Sequence, residues 1–457
     1  MNHASDIATL QAENAALRQQ VALLEDKVAL LPGLLQQHKV KKDSHNSHLP
    51  PASDLAPKKN QSLRPASTRK SGGQPGHTGQ TLKFSPSPDV VTDLKSNFCG
   101  RCGTSLAEAT FVLQAARQVV DLPPLQPVYH EYRQFAAQCP CCQGQQSATF
   151  PAGVNAPLQY GSRVMALVAY LSVYQYLPYG RLTSLLRDVC QVPLSEGSVA
   201  NLLRQAAVRA APVYERIKAE LAASPVMGAD ETSAKVNGGT WWLWVWQNVR
   251  NTYLAAAATR GWATITEVWS EGLMQATLVS DRYAAHLKLA VRAHQLCLAH
   301  LLRDAVYLTQ AESHAFAQGC QDWLRAVFRV RREIVKRQAA LTEESATARE
   351  LEKGLNDLLG QTIDPVQQPQ TAIFQRALLK HRNYLLPCIY DLEVPADNNG
   401  SERALRNVKV KQKVSGQFKT GQEVFCVLRS VSDTLRKREL DLLTHLQEIM
   451  QTQPDST

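Results

Sequence analysis

The second half of the chain contains apolar segments in an order that few folds accommodate. Residues 227–232 follow a short apolar stretch, and two further segments, 240–246 and 253–256, are separated by a turn near Arg250-Asn251. Runs rich in aromatic and β-branched residues between turn residues predict strands, so these segments are expected to form neighbouring strands. The four tryptophans of 240–246 are predicted to be core residues rather than platforms for stacked bases.

The next part of this pattern is a predicted helix followed by a strand that ends in an acidic residue. A helix predicted over about 263–271 leads to residues 276–281, a buried strand that ends in Asp281, and 296–298 is a further short strand running into a helix. Three strands, a helix, an acid-tipped strand and another strand–helix pair follow the order of a ribonuclease-H-like fold. In such a sheet Asp230 and Asp281 would lie on adjacent strands.

The stretch 396–403, Ala-Asp-Asn-Asn-Gly-Ser-Glu-Arg, supplies a third acid. If a helix starts near Ser401, four residues share one of its faces because they follow the spacing i, i+4, i+7 and i+11. They are Glu402, Arg406, Lys409 and Lys413. A carboxylate heading a basic stripe suits a metal ion beside a phosphate backbone. The alternative is an acid favoured by the positive end of the helix dipole, followed by solvated lysines.

Composition limits the classes of partner. The 457 residues carry a net charge of +10, with an isoelectric point near 9.1, which favours a polyanion such as nucleic acid or an acidic membrane surface. No apolar run approaches the roughly 18 residues of a membrane span. The first residues lack the pattern of a signal peptide, so a cytoplasmic, nucleoid-associated protein is expected. The ten cysteines are then expected to be metal ligands or buried thiols rather than disulfides.

Residues 7–31 carry a heptad repeat. The a positions hold Ile7, Asn14, Val21 and Val28, and the d positions hold Leu10, Leu17, Leu24 and Leu31. β-Branched residues at a with leucine at d favour a parallel two-stranded coiled coil, and one asparagine at a sets its register. The repeat predicts a leucine zipper that forms a homodimer or higher oligomer. The alternative is an amphipathic helix packed on its own domain.

Residues 38–88 are rich in Pro, Ser, Gly and Lys and poor in apolar residues. Such a segment cannot form a core and is predicted to be a disordered basic linker. It includes the turn cluster 72–77, Gly-Gly-Gln-Pro-Gly-His. The linker could lie along DNA phosphates or act as a plain solvated tether.

Two C-x2-C pairs follow the linker. Cys99 and Cys102 form the first, and Cys139 and Cys142 form the second, with Cys141 as a spare thiol that could replace Cys142. Paired thiolates on two turns can close a tetrahedral structural zinc site, which a segment with so little apolar sequence needs in order to fold. The alternative is a set of unrelated reduced cysteines.

Helical patterns occupy two other parts of the chain. Residues 156–223 are predicted to be helical, with a helix start at 195–198, and form either a helix-turn-helix that reads DNA or a purely structural subdomain. Residues 304–390 are also predicted to be mostly helical and interrupt the strand-rich part of the chain before its last acid. A helical insertion there is consistent with a sheet domain that cradles a long substrate.

Several of these motifs together resemble the large transposase of the bacterial insertion sequence 66 family, whose members are Asp-Asp-Glu transposases. The features that carry the resemblance are the heptad repeat, the turn 72–77, the cysteine pairs, residues 160–179, Asp230-Glu231-Thr232, Ser280-Asp281, Cys297-x2-His300 and Asp397-Asn398-Asn399-x2-Glu402-Arg403. The similarity covers nearly the whole chain. Residues 45–51 of the linker depart from the family pattern, which leaves the role of the linker open.

The resemblance implies a catalytic triad of Asp230, Asp281 and Glu402. Such carboxylates hold two Mg²⁺ or Mn²⁺ ions roughly 4 Å apart, which activate the attacking oxygen and stabilise the leaving oxygen. Near the ions, DNA contacts are expected from Arg403, Arg406, Lys409 and Lys413. The rival acids Glu231 and Asp397 are expected to support the ligands or to form turns.

The pair Cys297-x2-His300 permits two interpretations. Its spacing could supply two ligands of a zinc site, although the sequence offers no second pair nearby. Alternatively, Cys297 is a buried thiol and His300 contacts a phosphate or an acid.

The sequence therefore predicts a multidomain α/β DNA transposase that cleaves element ends and transfers them to target DNA. Its partners would be terminal inverted repeats, target DNA and, for some elements, small accessory proteins. Two alternatives are a catalytically silent zinc-containing DNA-binding protein and a nuclease without strand transfer. The predicted parts are the zipper (1–37), linker (38–88), zinc-binding domain (89–155), helical region (156–223), catalytic domain (224–303 and 391–445), helical insertion (304–390) and tail (446–457).

Overall fold

The fold is taken from a computed structural model of the chain. The structure describes residues 13–28, 72–73, 76–79 and 81–452. Several predictions lie outside these residues, namely those for Ile7, Leu10 and Leu31 of the heptad, for most of the linker and for residues 453–457.

Within the described residues, two short strands form a hairpin and five strands form one mixed sheet. The strands are β1 (Ala136–Gln138), β2 (Gln145–Ser147), β3 (Val226–Val236), β4 (Gly239–Gln247), β5 (Thr252–Ala257), β6 (Leu273–Ser280) and β7 (Val291–Leu296). The order in the large sheet is β5-β4-β3-β6-β7. The pairs β3–β4 and β4–β5 are antiparallel, whereas β3–β6 and β6–β7 are parallel.

Helices make up most of the remaining described chain. They are α1 (13–28), α2 (Ser162–Ala169), α3 (Tyr179–Cys190), α4 (Glu196–Ala222), α5 (Trp262–Val268), α6 (Ala284–Leu287), α7 (Leu298–Glu312), α8 (Ala315–Arg337), α9 (Ala346–Leu359), α10 (Pro369–Lys380), α11 (Pro387–Tyr390), α12 (Asn399–Ser415), α13 (Gln422–Lys437) and α14 (Leu442–Gln451). A π-helical turn, Tyr170–Tyr174, extends α2. None of the helices in the described chain is long and apolar enough to cross a membrane.

Helix α1 presents its apolar side chains to solvent. Its heptad residues Leu17, Val21, Leu24 and Val28 are 51–60% exposed. A seam of apolar residues that the described part of the chain leaves exposed is typical of a helix that pairs with another copy. Dimerisation through α1 stays a prediction.

We expect replacement of Leu17 and Leu24 by glutamate to convert the protein to monomers, because two charges then interrupt the d positions of the seam. Sedimentation velocity measures the oligomeric state directly. The matched control is the same pair of substitutions at the exposed positions Gln19 and Gln20, which lie outside a and d. An unchanged oligomer in the Leu17/Leu24 variant would rule out the zipper.

The β3–β4 hairpin is longer than the sequence analysis predicted. Its two-residue turn is Asn237-Gly238, with φ of 46° and 77°. Positive φ at both turn residues matches the right-handed twist of the strands, and Asn-Gly is the commonest sequence for it. On β4, Trp244 and Trp246 are fully buried, which confirms that these two tryptophans are core residues.

Helix α13 covers the β5 edge of the sheet. The backbone N–H of Thr252 donates to Thr434 Oγ1 at 3.1 Å, and that of Leu254 donates to Ser430 Oγ at 2.8 Å. Ser430 and Thr434 lie one turn apart on α13, so they meet alternate residues of β5. This arrangement satisfies edge N–H groups that would otherwise be open to another strand.

Two hydrophobic cores organise the described chain from residue 160 onward. The first unites the sheet with α2–α5 and α12–α14. The second lies on the β7 side of the sheet and is built mainly by α7–α11. The region 156–223 therefore packs as part of the sheet domain, through contacts of α2 and α4 with α13 and α14, and its role as a DNA reader stays a prediction.

Candidate active site

Asp230 and Asp281 occupy equivalent positions on neighbouring strands. In the parallel β3–β6 pair, Gly228 lies opposite Val279. Asp230 lies two residues further along β3, and Asp281 lies two residues further along the chain, directly after β6 ends at Ser280. Side chains alternate between the two faces of a sheet, so Asp230 points to the same face as Gly228. Burial, and then the neighbouring Asp281 carboxylate, raise the pKa of Asp230 well above its usual value. The two carboxylates are therefore close enough for their charges to interact.

Glu402 completes this group from the first turn of α12. Its charge also raises the pKa of Asp230, after burial, Asp281 and Glu231. The charges of Asp281 and Glu402 thus both act on Asp230, but the three acids do not form one cluster of ligand atoms within 4.8 Å among the described residues, so the catalytic triad stays a prediction. Crowded carboxylates repel one another, and a divalent cation with oxygen ligands would offset that repulsion.

Asn398 attaches the start of α12 to the sheet. Its side-chain N–H donates to the carbonyl of Ala229 at 2.7 Å, and its side-chain oxygen accepts from Ser401 Oγ at 2.7 Å. Its backbone N–H donates to Cys297 Sγ at 3.2 Å. Since Ala229 directly precedes Asp230, Asn398 fixes the helix that carries Glu402 against the strand that carries Asp230.

Two glycines permit this close approach. A Cβ atom built on Gly228 would lie 2.7–2.9 Å from polar atoms of Ser401, Gln247 and Asn398. A Cβ on Gly400 would lie 2.4 Å from Gln247 Nε2. Real Cβ atoms do not approach other heavy atoms so closely, so another residue at these positions would displace the side chains of Ser401, Gln247 or Asn398.

Helix α7 holds the carboxylate of Glu402 from a third side. Arg303 Nη2 lies 3.3 Å from Glu402 Oε1, and His300 Nε2 lies 3.7 Å from the same oxygen. Within the described chain, Cys297, His300 and Glu402 are the one group of at least three His, Cys, Asp or Glu whose ligand atoms all lie within 4.8 Å. Burial raises the pKa of the Cys297 thiol to about 12, which disfavours the thiolate that zinc requires. The arrangement favours the second interpretation of the Cys297–His300 pair, a buried thiol and a histidine beside an acid.

The rival acids point elsewhere. Glu231 lies on the opposite face of β3, is 2% exposed, and pairs with Arg260 at 2.6 Å and His286 at 2.8 Å. Burial acts to raise the pKa of Glu231, but the hydrogen bonds and charges of His286 and Arg260 hold it below its usual value. Asp397 accepts a hydrogen bond from the backbone N–H of Asn399 at 3.0 Å, as a turn-forming residue does.

The basic residues of α12 separate into two groups. Arg403, Arg406 and Lys413 are exposed and remain available for the predicted contacts with DNA. Lys409 is half-buried instead, and its ammonium donates to the carbonyl of Ser233 at 2.8 Å. The contact of Lys409 with DNA stays a prediction, and Lys409 also links α12 to β3 through Ser233.

Each predicted cysteine pair forms a tight turn. In the first, the N–H of Gly103 donates to the carbonyl of Cys99 at 2.9 Å. Hydrogen bonds, first from the Thr104 side chain and backbone and then from Cys99, lower the pKa of Cys102 to about 7. A lowered pKa favours the thiolate form, which is the form that binds zinc.

The second pair repeats this pattern. The N–H of Gln143 donates to the carbonyl of Cys139 at 2.9 Å, and Gln143 has φ of 59°, as Gly103 has φ of 74°. Backbone hydrogen bonds from Cys142 and Cys141 lower the pKa of Cys139. Among the described residues the two pairs do not join in one cluster of ligand atoms within 4.8 Å, so a shared zinc ion stays a prediction.

We expect purified protein to contain about one zinc ion per chain, held by both cysteine pairs. Inductively coupled plasma mass spectrometry measures the content. The Cys99→Ser, Cys139→Ser variant should lose the ion, whereas Cys190→Ser, which removes a cysteine outside the pairs, should keep it. Full zinc in the double variant would contradict a shared site.

Some site residues were not identified as such from the sequence. A single glycine such as Gly228 has no sequence pattern that predicts a role. Asn398 lies inside the motif 397–403, and Arg303 lies in the helix predicted after residues 296–298, but the sequence predicts no specific role for either side chain. Their roles depend on contacts between elements that are far apart in the chain. Arg303 and Glu402 are 99 residues apart, and Asn398 and Ala229 are 169 residues apart.

The part of the chain that contains the candidate site matches a known protein family. The family model described as "Transposase IS66 family" matches residues 157–424. The match contains Asp230, Asp281 and Glu402, and it begins after both cysteine pairs. No curated protein matches the chain.

Proposed function

Because the chain belongs to the IS66 family of transposases, we propose that it cleaves DNA at the ends of a mobile element and joins those ends to target DNA. The catalytic residues in this proposal are Asp230, Asp281 and Glu402. The observation that supports it is the placement of these residues: Asp230 lies on β3, Asp281 directly follows the parallel neighbour β6, and Glu402 lies in the first turn of α12, which Asn398 attaches to β3. The strand order β5-β4-β3-β6-β7 further supports a ribonuclease-H-like catalytic domain.

The donor set suits Mg²⁺ or Mn²⁺. Carboxylate oxygens are the ligands that these hard cations prefer. The raised pKa of Asp230 reflects burial first and then the neighbouring carboxylates, whose repulsion a cation would offset. When bound, the ions would activate the attacking oxygen and stabilise the leaving one. Asp230, Asp281 and Glu402 would hold them, and the zinc expected at the cysteine pairs would have a structural role.

The remaining residues act by position and charge. Arg303 and His300 orient the Glu402 carboxylate, and Asn398 keeps α12 on β3. The exposed Arg403, with other basic residues of α12, would contact DNA phosphates.

Both proposed steps are displacements at phosphorus. In cleavage, a water oxygen forms a bond to phosphorus and the bond to the 3′ oxygen breaks, which leaves a 3′-hydroxyl and a 5′-phosphate. In joining, that 3′-hydroxyl attacks a phosphodiester of the target and releases a new 3′-hydroxyl. The proton of each nucleophile leaves to solvent or a carboxylate, so no oxidant or energy-rich cofactor is needed.

An assay with the inverted repeats that flank the coding sequence tests this function. Labelled repeat duplexes are incubated with the full chain, a target plasmid and Mg²⁺ or Mn²⁺, and cleaved and joined products are separated by electrophoresis. Both products are expected, and Ca²⁺ should support binding alone. Binding without cleavage would favour the silent DNA-binding protein, and cleavage without joined products would favour a nuclease.

The partners in this proposal are the terminal repeats, target DNA and a second copy of the chain bound through α1. Pairing of two element ends requires at least two DNA-bound protomers, which a parallel dimer would supply. A requirement for small accessory proteins stays a prediction, as does association with the nucleoid in the cytoplasm.

A further inference from the structure

A groove of about 1020 Å³ lies beside the three carboxylates. Its walls are the start of α12, the C-terminal half of α13 and the turn between β4 and β5. Gly228, Asp397 and Asn398 line it as well, so it adjoins the site described above. The groove is at the upper end of the range of about 300–1000 Å³ that small-molecule sites occupy.

Helix α12 contributes residues both to the groove and to the candidate active site. Successive residues of an α-helix point about 100° apart, so neighbours on α12 face different directions. Glu402 points towards Asp230 and Arg303, whereas Arg403 lines the groove. A strand of DNA that passes the carboxylates would therefore meet Arg403 and the groove next.

The lining carries an excess of positive charge. The charged residues that line it are Arg250, Arg403, Arg429, Arg436, Lys437, Glu393, Asp397 and Asp433. Arg429 pairs with Asp433 at 2.6 Å, which leaves four cations and two carboxylates. Within the described chain, no carboxylate lies within 4 Å of the charged groups of Arg403, Arg436 or Lys437.

Lys437 and Arg403 both line the groove and carry like charges. The ammonium of Lys437 donates to Gln247 Oε1 at 2.7 Å and to the carbonyls of Asn248 and Asn251. These acceptors carry no net charge. Burial lowers the pKa of Lys437 to about 8, and the Arg403 charge acts in the same direction while Asp433 opposes it. An anion in the groove would offset this repulsion.

Arg436 is one of the exposed cations of this lining. It is exposed on α13, and its guanidinium lies 5.4 Å from the centre of the Tyr174 ring, which restricts its orientation. A guanidinium held in this way can bind a phosphate through two N–H donors.

We propose that this groove binds the phosphates of the DNA strand directly adjacent to the phosphodiester that is cut. The inference rests on the proposed function and adds a second, separate contact surface to it. Arg436 and Arg403 neutralise backbone phosphates there, while the neutral acceptors around Lys437 keep its ammonium in the lining of the groove. The contact reads the backbone and positions the strand, without selecting its sequence.

Neutral-phosphate substitution tests the groove directly. Terminal-repeat duplexes carry one methylphosphonate at each position around the cleavage site, and affinity is measured by fluorescence anisotropy in Ca²⁺, where no cleavage is expected. For the wild type, the substitution at one or two positions adjacent to the cut should weaken binding about tenfold. Arg436→Ala should lose about as much on unmodified DNA and show no further loss at those positions, because the partner is already gone.

Two controls separate the groove from general loss of positive charge. Lys353→Ala removes one exposed cation of α9 outside the groove and should keep the wild-type methylphosphonate profile. Arg436→Lys retains the charge and should recover part of the affinity. For Arg436→Ala, the slope of log affinity against log salt concentration should fall by about 1.

The outcomes of this experiment distinguish the groove from the function. If Arg436→Ala and wild type lose equal affinity at every methylphosphonate position, the groove proposal is wrong while the transposase proposal stands. If Lys353→Ala reproduces the Arg436→Ala profile, the groove proposal is also wrong. Failure of the wild type to bind terminal repeats at all would count against the proposed function itself.

Discussion

Glu402→Gln is expected to abolish both DNA cleavage and DNA joining, with rates at least about 1000-fold below those of the wild type. Asp230→Asn and Asp281→Asn are expected to do the same. Each substitution keeps the size of the side chain but removes one negative charge from the three carboxylates that would hold the metal ions. Single-turnover cleavage of a labelled repeat in Mg²⁺ and in Mn²⁺ measures the loss.

DNA binding should survive in these three variants. Phosphate contacts by lysine and arginine dominate the affinity of proteins for DNA, and the substitutions leave those residues unchanged. Fluorescence anisotropy in Ca²⁺ should give dissociation constants within about threefold of the wild-type value, since removal of a negative charge does not weaken attraction to phosphate.

Asp397→Asn is the matched control for Glu402→Gln. It removes the same charge five residues earlier, from a side chain that accepts a hydrogen bond from the Asn399 N–H. Asparagine can still accept that bond, so cleavage should fall only slightly. A dead Asp397→Asn variant together with normal cleavage by Glu402→Gln would show that the third ligand was chosen wrongly.

Local sequence patterns predicted much of the sheet domain. The apolar segments 240–246 and 253–256 correspond to β4 and β5, each of which is one residue longer at both ends. The helix expected near Ser401 begins at Asn399. These elements are encoded by residues within a few positions of one another, which is the range over which periodicity and turn preferences act.

The sequence also contains a local pattern that predicts the turn between β3 and β4. Asn237-Gly238 is a strong hairpin sequence between the two strands that carry Asp230 and the tryptophans. Its recognition would have extended β3 from residue 232 to Val236. This error was one of interpretation rather than a limit of the sequence.

Other features required the three-dimensional structure. The choice between Asp230 and Glu231 depends on which face of β3 packs against α12, and alternation alone does not say which face that is. Lys409 shares the predicted basic stripe of α12, yet its contact with Ser233 joins residues 176 positions apart. Side-chain partners at such distances follow from the packing of whole elements, which a single sequence does not specify.

The cysteine pairs show the same limit. Spacing predicts each turn, because four residues suffice to form it, and both turns share one hydrogen-bond pattern. Whether the two turns meet depends on the 36 residues between Cys102 and Cys139. The segment 106–135 contains no helix or strand, so no regular element fixes the separation of the two pairs.

The second large effect is expected from a substitution at Gly228, where β3 packs closely against the start of α12. Gly228→Ala should reduce cleavage about 100-fold while the protein remains folded, because displacement of a catalytic group by about 1 Å has an effect of that size. The added methyl would lie 2.7 Å from Ser401 Oγ, 2.8 Å from Gln247 Nε2 and 2.9 Å from Asn398 Oδ1. Overpacking of this kind typically costs about 1–3 kcal/mol of unfolding free energy, which chemical denaturation would measure alongside the single-turnover rate.

The matched control is Gly261→Ala, at the start of α5, where a Cβ would have no atom within 4 Å and φ is −78°. Gly261 is the N-cap of α5, where alanine is a poorer residue than glycine, so stability should fall by up to about 1 kcal/mol while the cleavage rate stays at the wild-type value. A second substitution, Ser401→Ala, removes the nearest of the three clashing atoms. If the start of α12 is displaced in Gly228→Ala, the double variant should recover part of the cleavage rate, since the two substitutions act on one contact. Wild-type cleavage by Gly228→Ala alone would show that Glu402 reaches Asp230 without the close approach of α12 to β3, and the role assigned to Gly228 would be wrong.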